Sequence, residues 1–185
     1  GSTPVSSSQL QVSIAVLPPP ITVNPPVPYT LGMEMLGEVD AAGPGAEAWV
    51  GRQVMACAKG AFGAYADYVI GDAGMAFDVP AGLDDVQAAA FYFPFHLAWL
   101  GLFDRAALQA GESVLIHAAA GGSGSAAVQL AANAGARVFA TAGTDAKVKL
   151  CRDLGADIAI NYTDADFAGV VLEATAHRGV DVVFD

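Results

Sequence analysis

Short apolar strands alternate with helices from residue 114 to the end of the chain, and this alternation constrains the fold more than any other feature. The apolar runs predict strands at 114–117, 137–141, 157–161 and 180–184, separated by predicted helices at about 125–133, 145–154 and 164–176. Gly135 and Gly155 follow the first two helices, in the position where glycine commonly ends a helix. Because apolar strands joined by helices form a parallel sheet with both faces covered, the sequence predicts an α/β fold.

The strand and helix order is typical of a doubly wound nucleotide-binding sheet of the Rossmann type. The complete version of that sheet has about six strands. The chain ends at Asp185, directly after the fourth predicted strand. We therefore expect a sheet that is incomplete at its C-terminal side.

The first 80 residues have a different pattern. Their apolar residues come in short runs at 10–16, 53–57 and 64–70, separated by glycine, proline and aspartate, which predicts strands joined by turns. A longer helical stretch follows, from Asp84 to about Leu108. We therefore predict an all-β domain, a sheet or a barrel, at 1–83, and a nucleotide-binding domain at 84–185.

Composition excludes several classes of protein. Eight Lys and Arg residues against 19 Asp and Glu residues give a net charge of −11, which disfavours binding to nucleic acid or to an anionic lipid surface. The uncharged windows 86–103 and 113–136 are interrupted by Pro94 and by glycines, so neither predicts a membrane span. The absence of a signal-peptide pattern, together with only two cysteines, Cys57 and Cys151, predicts a cytoplasmic protein.

A glycine-rich turn follows the first predicted strand of the second domain. Against the G-x-G-x-x-G fingerprint, Ala119, Gly121 and Gly124 take the three glycine positions, with Gly122 and Ser123 between the last two. Small residues there permit a tight turn, close approach of backbone N–H groups to a pyrophosphate, and close packing of the helix on the strand. A flexible glycine loop is the alternative, but the strand before and the helix after favour dinucleotide binding.

The end of the next strand indicates which dinucleotide is bound. An NAD-preferring site carries a carboxylate about 20 residues after the turn, whereas this strand ends Thr141-Ala-Gly143-Thr144. Lys147 lies just inside the following helix and can pair with a 2′-phosphate. NADPH is therefore the expected cofactor, with Asp145 interpreted as a cap or helix-dipole partner.

These segments together resemble the zinc-free quinone oxidoreductases, the zeta-crystallin branch of the medium-chain dehydrogenase/reductase superfamily. The resemblance covers about residues 25–185. It is carried in the second domain by the stretch 117–130, the run 141–144, Lys147, 154–156 and Asn161-Tyr162, and in the first by 32–34, 37–39, 51–54 and 63–68.

The resemblance implies a GroES-like β domain and a Rossmann domain with NADPH in the cleft between them. It implies that Lys147 and Tyr162 hold the 2′-phosphate, that the glycine turn holds the pyrophosphate, and that the subunits form homodimers. Strand-end packing is the alternative for Tyr162. Arg52 and Leu97 depart from the family pattern, and so does the short stretch between residues 16 and 25, where the family's Asn-Phe-x-Asp segment is expected. Either the protein is naturally reduced there or residues are missing from the sequence, and we favour the second interpretation.

Neither a metal site nor a nucleophile is indicated. Met33 stands where zinc-dependent relatives carry a histidine ligand, and Glu34 with Cys57 does not provide the three protein ligands of a catalytic zinc site. No G-x-S-x-G nucleophile motif of a hydrolase is present. The aromatic residues Phe93 and Phe95 could line an apolar substrate pocket or belong to the core. No residue is assigned as the catalytic acid.

The expected reaction is hydride transfer from NADPH to a quinone or to an α,β-unsaturated carbonyl compound. Conjugated acceptors delocalise the negative charge that develops, so they need a Lewis acid less than a simple ketone does. Three alternatives remain: an enoyl-thioester reductase of the same superfamily, a non-catalytic NADPH-binding protein, and a zinc alcohol dehydrogenase.

Overall fold

The structure, a computed structural model, describes residues 27–60 and 62–185. The strand predicted at 10–16 lies outside the described residues. No helix in the described part of the chain is both long and apolar enough to cross a membrane.

The first half of the described chain contains a three-stranded antiparallel sheet. Its strands are β1 (Glu34–Glu38), β2 (Gln53–Ala58) and β3 (Gly71–Asp78), in the order β1-β2-β3. Glu34 pairs with Cys57 across β1 and β2. Arg52, one of the departures from the family pattern, forms an ion pair with Asp78 and stacks on a tryptophan ring.

The strand predicted at 64–70 is wrong, because β3 begins only at Gly71. The backbone N–H groups of Gly63 and Ala64 both donate to the carbonyl of Gly32, and that of Tyr65 donates to Leu31. These bonds hold the segment in a loop against the start of the described chain, where apolar side chains such as Ile70 stay exposed.

The predicted helical stretch is present but interrupted. Helix α1 (Asp85–Ala89) begins with a capping box between Asp84 and Gln87, and α2 (Tyr92–Trp99) continues into a π-helical segment, Leu100–Arg105. Met55, Ala88 and Tyr92 are buried together, so these helices pack on the antiparallel sheet.

The second half forms a four-stranded parallel sheet with three helices. The elements are β4 (Ser113–Ile116), α3 (Gly122–Asn133), β5 (Arg137–Ala142), α4 (Asp145–Asp153), β6 (Ile158–Asn161), α5 (Phe167–Ala174) and β7 (Val182–Phe184). The strand order is β6-β5-β4-β7, and all neighbours are parallel. The predicted Rossmann-type topology is therefore confirmed.

Two helices, α3 and α5, differ from their predicted bounds by two residues or more. Helix α3 begins at Gly122, three residues earlier than expected, because the glycines are already helical. Helix α5 is shorter at both ends, since the side chain of Asp166 caps its first turn and His177, with a φ of 61°, has already left the helix.

Both faces of the parallel sheet are covered. On β4 and β5, alternate residues point to opposite sides, as the pleat requires. Val114, Ile116, Val138 and Ala140 belong to a large core cluster with α2, α3 and α4, whereas Leu115 and Phe139 pack with Val171 of α5. This arrangement fixes the carboxyl ends of β4, β5 and β6 at one edge.

Candidate nucleotide-binding site

The glycine turn lies where the winding of the parallel sheet reverses direction. From β4 the chain continues through α3 to β5 on one side, while β7 pairs with β4 on the other side. A crevice at such a switch point, outside the carboxyl ends of the strands, is where doubly wound sheets bind ligands. The turn therefore occupies the position expected for a nucleotide site.

Backbone hydrogen bonds fix the shape of the turn. Ala118 has a φ of 47°, and its carbonyl accepts the Gly121 N–H at 2.8 Å. The Ala119 N–H donates to the carbonyl of Thr141 at the end of β5, at 3.0 Å. Ala119 itself is fully buried. The turn is thus tied to the neighbouring strand.

Helix α3 begins without a side-chain cap. Its N-cap is Gly121, whereas Thr144 caps α4 and Asp166 caps α5 with their side chains. The N–H groups of a helix's first turn have no partner within the helix, and its N-terminus carries partial positive charge. The N–H groups of Gly122, Ser123 and Gly124 are therefore placed to donate hydrogen bonds to an anionic group.

Gly124 meets the packing requirement of the last fingerprint position. A Cβ atom at Gly124 would lie 2.4 Å from the carbonyl oxygen of Ala118 and 2.8 Å from the Cα of Ala119. These are backbone atoms that cannot move aside. The glycine therefore serves close helix packing rather than flexibility of a loop.

Thr141 is placed differently from the other predicted cofactor residues. Only 1% of it is exposed, and its Oγ1 lies 2.9 Å from Nδ1 of His117. His117 also contacts the ring of Phe167 edge-on. Thr141 thus supports the turn through its carbonyl and through His117, while its hydroxyl is already committed within the protein.

Sequence reasoning assigned His117 no role in the site. A signal for it is present in the alternation itself. Ile116 pairs with Ala140 in the parallel ladder, so the next residue on each strand, His117 and Thr141, are neighbours. The sequence indicates that the two strands are parallel, but it does not show which residues lie side by side.

The ends of β5 and β6 bring together the other predicted residues. Thr144 caps α4 and accepts the Lys147 N–H at 3.4 Å, and the Lys147 side chain is exposed. A Cβ atom at Gly143 would lie 2.7 Å from Oη and 3.0 Å from Cζ of Tyr162. Tyr162 therefore packs over Gly143, yet 54% of it stays exposed at this edge.

Asp145 is not the cap of α4. Thr144 has that role, and Oδ1 of Asp145 accepts a hydrogen bond from Nδ2 of Asn161 at 3.0 Å. Asn161 directly precedes Tyr162. It was noted in the sequence only as part of the family resemblance.

The two aromatic residues predicted to line a substrate pocket, Phe93 and Phe95, lie in different surroundings. Phe95 stacks on Phe91 with ring centroids 4.4 Å apart and packs against the large core cluster. Phe93 is 37% exposed, and its N–H donates to Glu34 of β1 at 2.9 Å. Pro94 lies next to Gly122, so the start of α2 adjoins the glycine turn. Of the two predicted pocket aromatics, Phe93 is thus the exposed residue and Phe95 packs against the core.

The residues considered for a metal form no ligand cluster. Within 27–60 and 62–185, no three His, Cys, Asp or Glu side chains are grouped to hold a metal ion. Burial raises the pKa of the Cys57 thiol and outweighs the lowering effect of the Tyr92 hydroxyl, and the charge of nearby Glu34 raises that pKa further. The thiolate form that binds a metal is therefore disfavoured at Cys57.

A parallel sheet with a glycine turn at its switch point is the arrangement that dinucleotide-binding proteins use. Two family models match the chain: "Alcohol dehydrogenase GroES-like domain" at residues 10–81 and "Zinc-binding dehydrogenase" at 122–185. The chain belongs to the medium-chain dehydrogenase/reductase superfamily, and the expected pairing of a GroES-like domain with a Rossmann domain is confirmed.

Curated relatives include two kinds of enzyme. A mycocerosic acid synthase-like polyketide synthase of Mycobacterium tuberculosis is 41% identical over 84% of this chain and 7% of its own length. The quinone oxidoreductase of Rattus norvegicus is 33% identical over 88% of this chain and 49% of its own length. The chain thus spans about half of the quinone oxidoreductase and a small part of the synthase.

The similar solved structures include a complex with NADPH and an enoyl reductase. A mycobacterial protein in complex with NADPH, Rv1454c, superposes with a TM-score of 0.77 at 35% identity, covering 85% of this chain and 49% of that one. JamJ enoyl reductase superposes with a TM-score of 0.76 at 37% identity, covering 85% and 46%.

Proposed function

We propose that the protein is an NADPH-dependent, zinc-independent oxidoreductase that reduces quinones or α,β-unsaturated carbonyl compounds. The observation that carries the proposal is the joint placement of the uncapped start of α3 and the Gly143, Lys147 and Tyr162 cluster along one sheet edge. A dinucleotide has an anionic centre and, in NADPH, a second anionic end, and this edge offers a partner for each.

The glycine turn would hold the pyrophosphate. Gly122 and Ser123 leave the approach to their N–H groups open, since neither carries a bulky side chain, and the start of α3 adds favourable charge. The small size of Gly124 and Ala119 lets the helix approach β4 closely.

The cluster at the ends of β5 and β6 would hold the 2′-phosphate. Lys147 is exposed in the first turn of α4 and takes part in neither of the two ion pairs found among the described residues. The Tyr162 hydroxyl lies over Gly143 at the same edge, and the Thr144 hydroxyl is at the helix cap. A cation and hydroxyl donors suit a phosphate better than a ribose hydroxyl.

The acceptor class follows from the chemistry of the side chains near the glycine turn. NADPH supplies a hydride when bound. Met33 offers a thioether where zinc-dependent relatives carry a histidine ligand, and burial raises the pKa of the Cys57 thiol, so these two residues do not favour Zn²⁺. Without a Lewis acid, an acceptor that spreads charge by conjugation is favoured. The exposed ring of Phe93 gives such an acceptor an apolar surface. The rat quinone oxidoreductase supports this class.

We further propose that the protein acts in the cytoplasm as a homodimer. The low cysteine content supports a reducing compartment. The resemblance to the zeta-crystallin branch supports dimers formed through the nucleotide-binding domain.

The test is oxidation of NADPH by the purified protein at its full natural length, with an ortho-quinone and an enone offered separately and NADH as the control. Acceptor-dependent oxidation that prefers NADPH supports the proposal. Tight NADPH binding without oxidation of either acceptor supports a non-catalytic binding protein instead.

An enoyl-thioester reductase is the second candidate. The similarity to a polyketide synthase and to JamJ enoyl reductase favours it. A crotonyl thioester of N-acetylcysteamine, added to the same assay, distinguishes the two. Faster turnover of the thioester than of the quinone and the free enone would select the second candidate.

A further inference from the structure

The side-chain amide of Asn161 joins the end of β6 to the start of α4, next to the proposed 2′-phosphate residues. It is the last residue of β6, directly before Tyr162. Its Nδ2 lies 3.0 Å from Oδ1 of Asp145 and 2.6 Å from Oδ2 of Asp164. Its Oδ1 accepts hydrogen bonds from the N–H of Thr163 at 3.2 Å and from the Thr163 hydroxyl at 2.7 Å. The amide is thus bonded at both ends.

Asp145 is the carboxylate with the greatest consequence for nucleotide choice at this edge. It lies two residues after Gly143, in the first turn of α4. An NAD-preferring site carries its ribose-binding carboxylate in this region, about 20 residues after the glycine turn. An unrestrained carboxylate here would accept the 2′-hydroxyl of NADH and would repel the 2′-phosphate of NADPH.

The Asn161 amide opposes both effects of that carboxylate. Its hydrogen bond occupies one oxygen of Asp145 and orients the carboxylate toward the end of β6. Lys147, two residues further along α4, is exposed and supplies the positive charge of the cluster. Because surface charges at this separation interact only moderately in water, the expected effect on affinity is several-fold rather than absolute.

We propose that Asn161 is a specificity-determining residue that holds the Asp145 carboxylate away from the ribose 2′ position and so makes this edge selective for a 2′-phosphate. Asn161 acts through Asp145 and is a positioning residue. The inference rests on the nucleotide site proposed above and goes beyond it by naming what keeps a nearby carboxylate from reversing the preference.

The test is a double-mutant cycle read by equilibrium binding. Dissociation constants of NADPH and NADH are measured by calorimetry for the wild type, Asn161→Ala, Asp145→Asn and the double variant, all at full natural length. We expect Asn161→Ala to lower the preference for NADPH about fivefold. In the Asp145→Asn background the same change should leave the preference unaltered. A purely structural role would produce the same loss in both backgrounds.

Several results would overturn the inference. One is an Asn161→Ala variant with unchanged preference, and another is an equal change with and without Asp145. If Asn161→Ala does not fold, judged by its thermal transition, Asp145→Asn alone decides. We expect it to change NADH affinity less than about twofold, because the carboxylate is already withheld from ribose; a clear loss of NADH binding would show that Asp145 contacts the ribose.

Failure of the proposed function gives a different result. A wild type that binds neither nucleotide overturns the nucleotide site itself, and this inference with it. A wild type that prefers NADPH, combined with an uncoupled cycle, leaves the site standing and removes only the role of Asn161.

Discussion

Gly124 lies so close to Ala118 that a Cβ atom at Gly124 would stand 2.4 Å from the Ala118 carbonyl oxygen. This contact joins the first turn of α3 to the end of β4, which sets how near the helix start comes to the sheet edge. The same closeness explains why a glycine is needed here although its φ is not in the left-handed region.

Gly124→Ala is therefore expected to destabilise the fold by about 2 kcal/mol, since the clash is with backbone atoms in a packed region. Gly122→Ala is the matched control, because a Cβ atom there would meet only Pro94 Cγ at 3.7 Å, an ordinary contact. Its effect should stay within about 0.5 kcal/mol. Urea unfolding of both variants measures the difference. Equal stabilities would contradict the close-packing role of Gly124.

Gly143→Ala should affect nucleotide binding more than stability. The new methyl group would meet the Tyr162 ring, which is half exposed and can move aside. We expect a stability loss below about 1 kcal/mol, with weaker NADPH binding and little change for NADH. Calorimetric titrations with both nucleotides provide the measurement. Equal losses for both would show that Tyr162 does not act at the 2′ position.

The bond between His117 and Thr141 should contribute to the stability of the turn. Thr141→Val keeps the shape of the buried side chain but removes the hydroxyl partner of Nδ1, and leaving a partly buried polar group unpaired costs about 1–3 kcal/mol. Thr141→Ser retains the hydroxyl and serves as the control. Thermal unfolding should rank wild type, Ser and Val in descending order. A Val variant as stable as the Ser variant would show that the bond between His117 and Thr141 does not contribute to stability.

Asp181 makes a pH-dependent contact at the end of the parallel sheet that lies opposite the glycine turn. Its carboxylate accepts the hydroxyl and the N–H of Ser113 at 2.7 Å each, and these bonds hold the pKa of Asp181 below its ordinary value. A lowered folded-state pKa adds stability that is fully present above the unfolded value of about 3.9 and is lost as the pH falls through the folded one.

Asp181→Asn should therefore cost about 1 kcal/mol or less at neutral pH, because the carboxylate is exposed. The difference from wild type should shrink as the pH falls below about 4. Unfolding free energies at neutral and at acidic pH test this, with Asp104→Asn, another exposed aspartate, as the control. A difference that stays constant with pH would show that the Asp181 charge is not involved. Nucleotide binding should not change, since Asp181 lies beside Ser113 at the start of β4, whereas the glycine turn follows the end of that strand.

Much of the fold could be predicted from periodicity. The alternation of apolar strands and helices specified the four parallel strands, because the central strands β4 and β5 are buried on both faces and read as continuous apolar runs. The start of α3 could not be predicted, since glycine has low helix propensity and no side-chain cap marks the beginning of the helix at Gly121. The segment 64–70 reads as a strand by composition, yet its backbone hydrogen bonds go to Leu31 and Gly32.

The candidate site likewise contains residues that the sequence could predict and residues that it could not. The turn, Lys147 and Tyr162 were predicted from their spacing and from the family resemblance. The role of His117 depends on which residues face each other across β4 and β5, and that of Asn161 depends on how the start of α4 lies against the end of β6. The identity of single residues contains neither relationship, so these partners became visible only in three dimensions.

The central claim is that the ends of β5 and β6 recognise a 2′-phosphate. It is tested most directly by titrating NADPH and NADH into the wild type, Lys147→Ala and Lys149→Ala. Lys149 lies on the same helix but is paired with Asp153 at 2.6 Å, so it is the matched control. We predict that Lys147→Ala weakens NADPH binding about tenfold or more and leaves NADH binding nearly unchanged, whereas Lys149→Ala leaves the binding of both nucleotides nearly unchanged. Equal losses of both nucleotides in Lys147→Ala, or no loss, would contradict the claim.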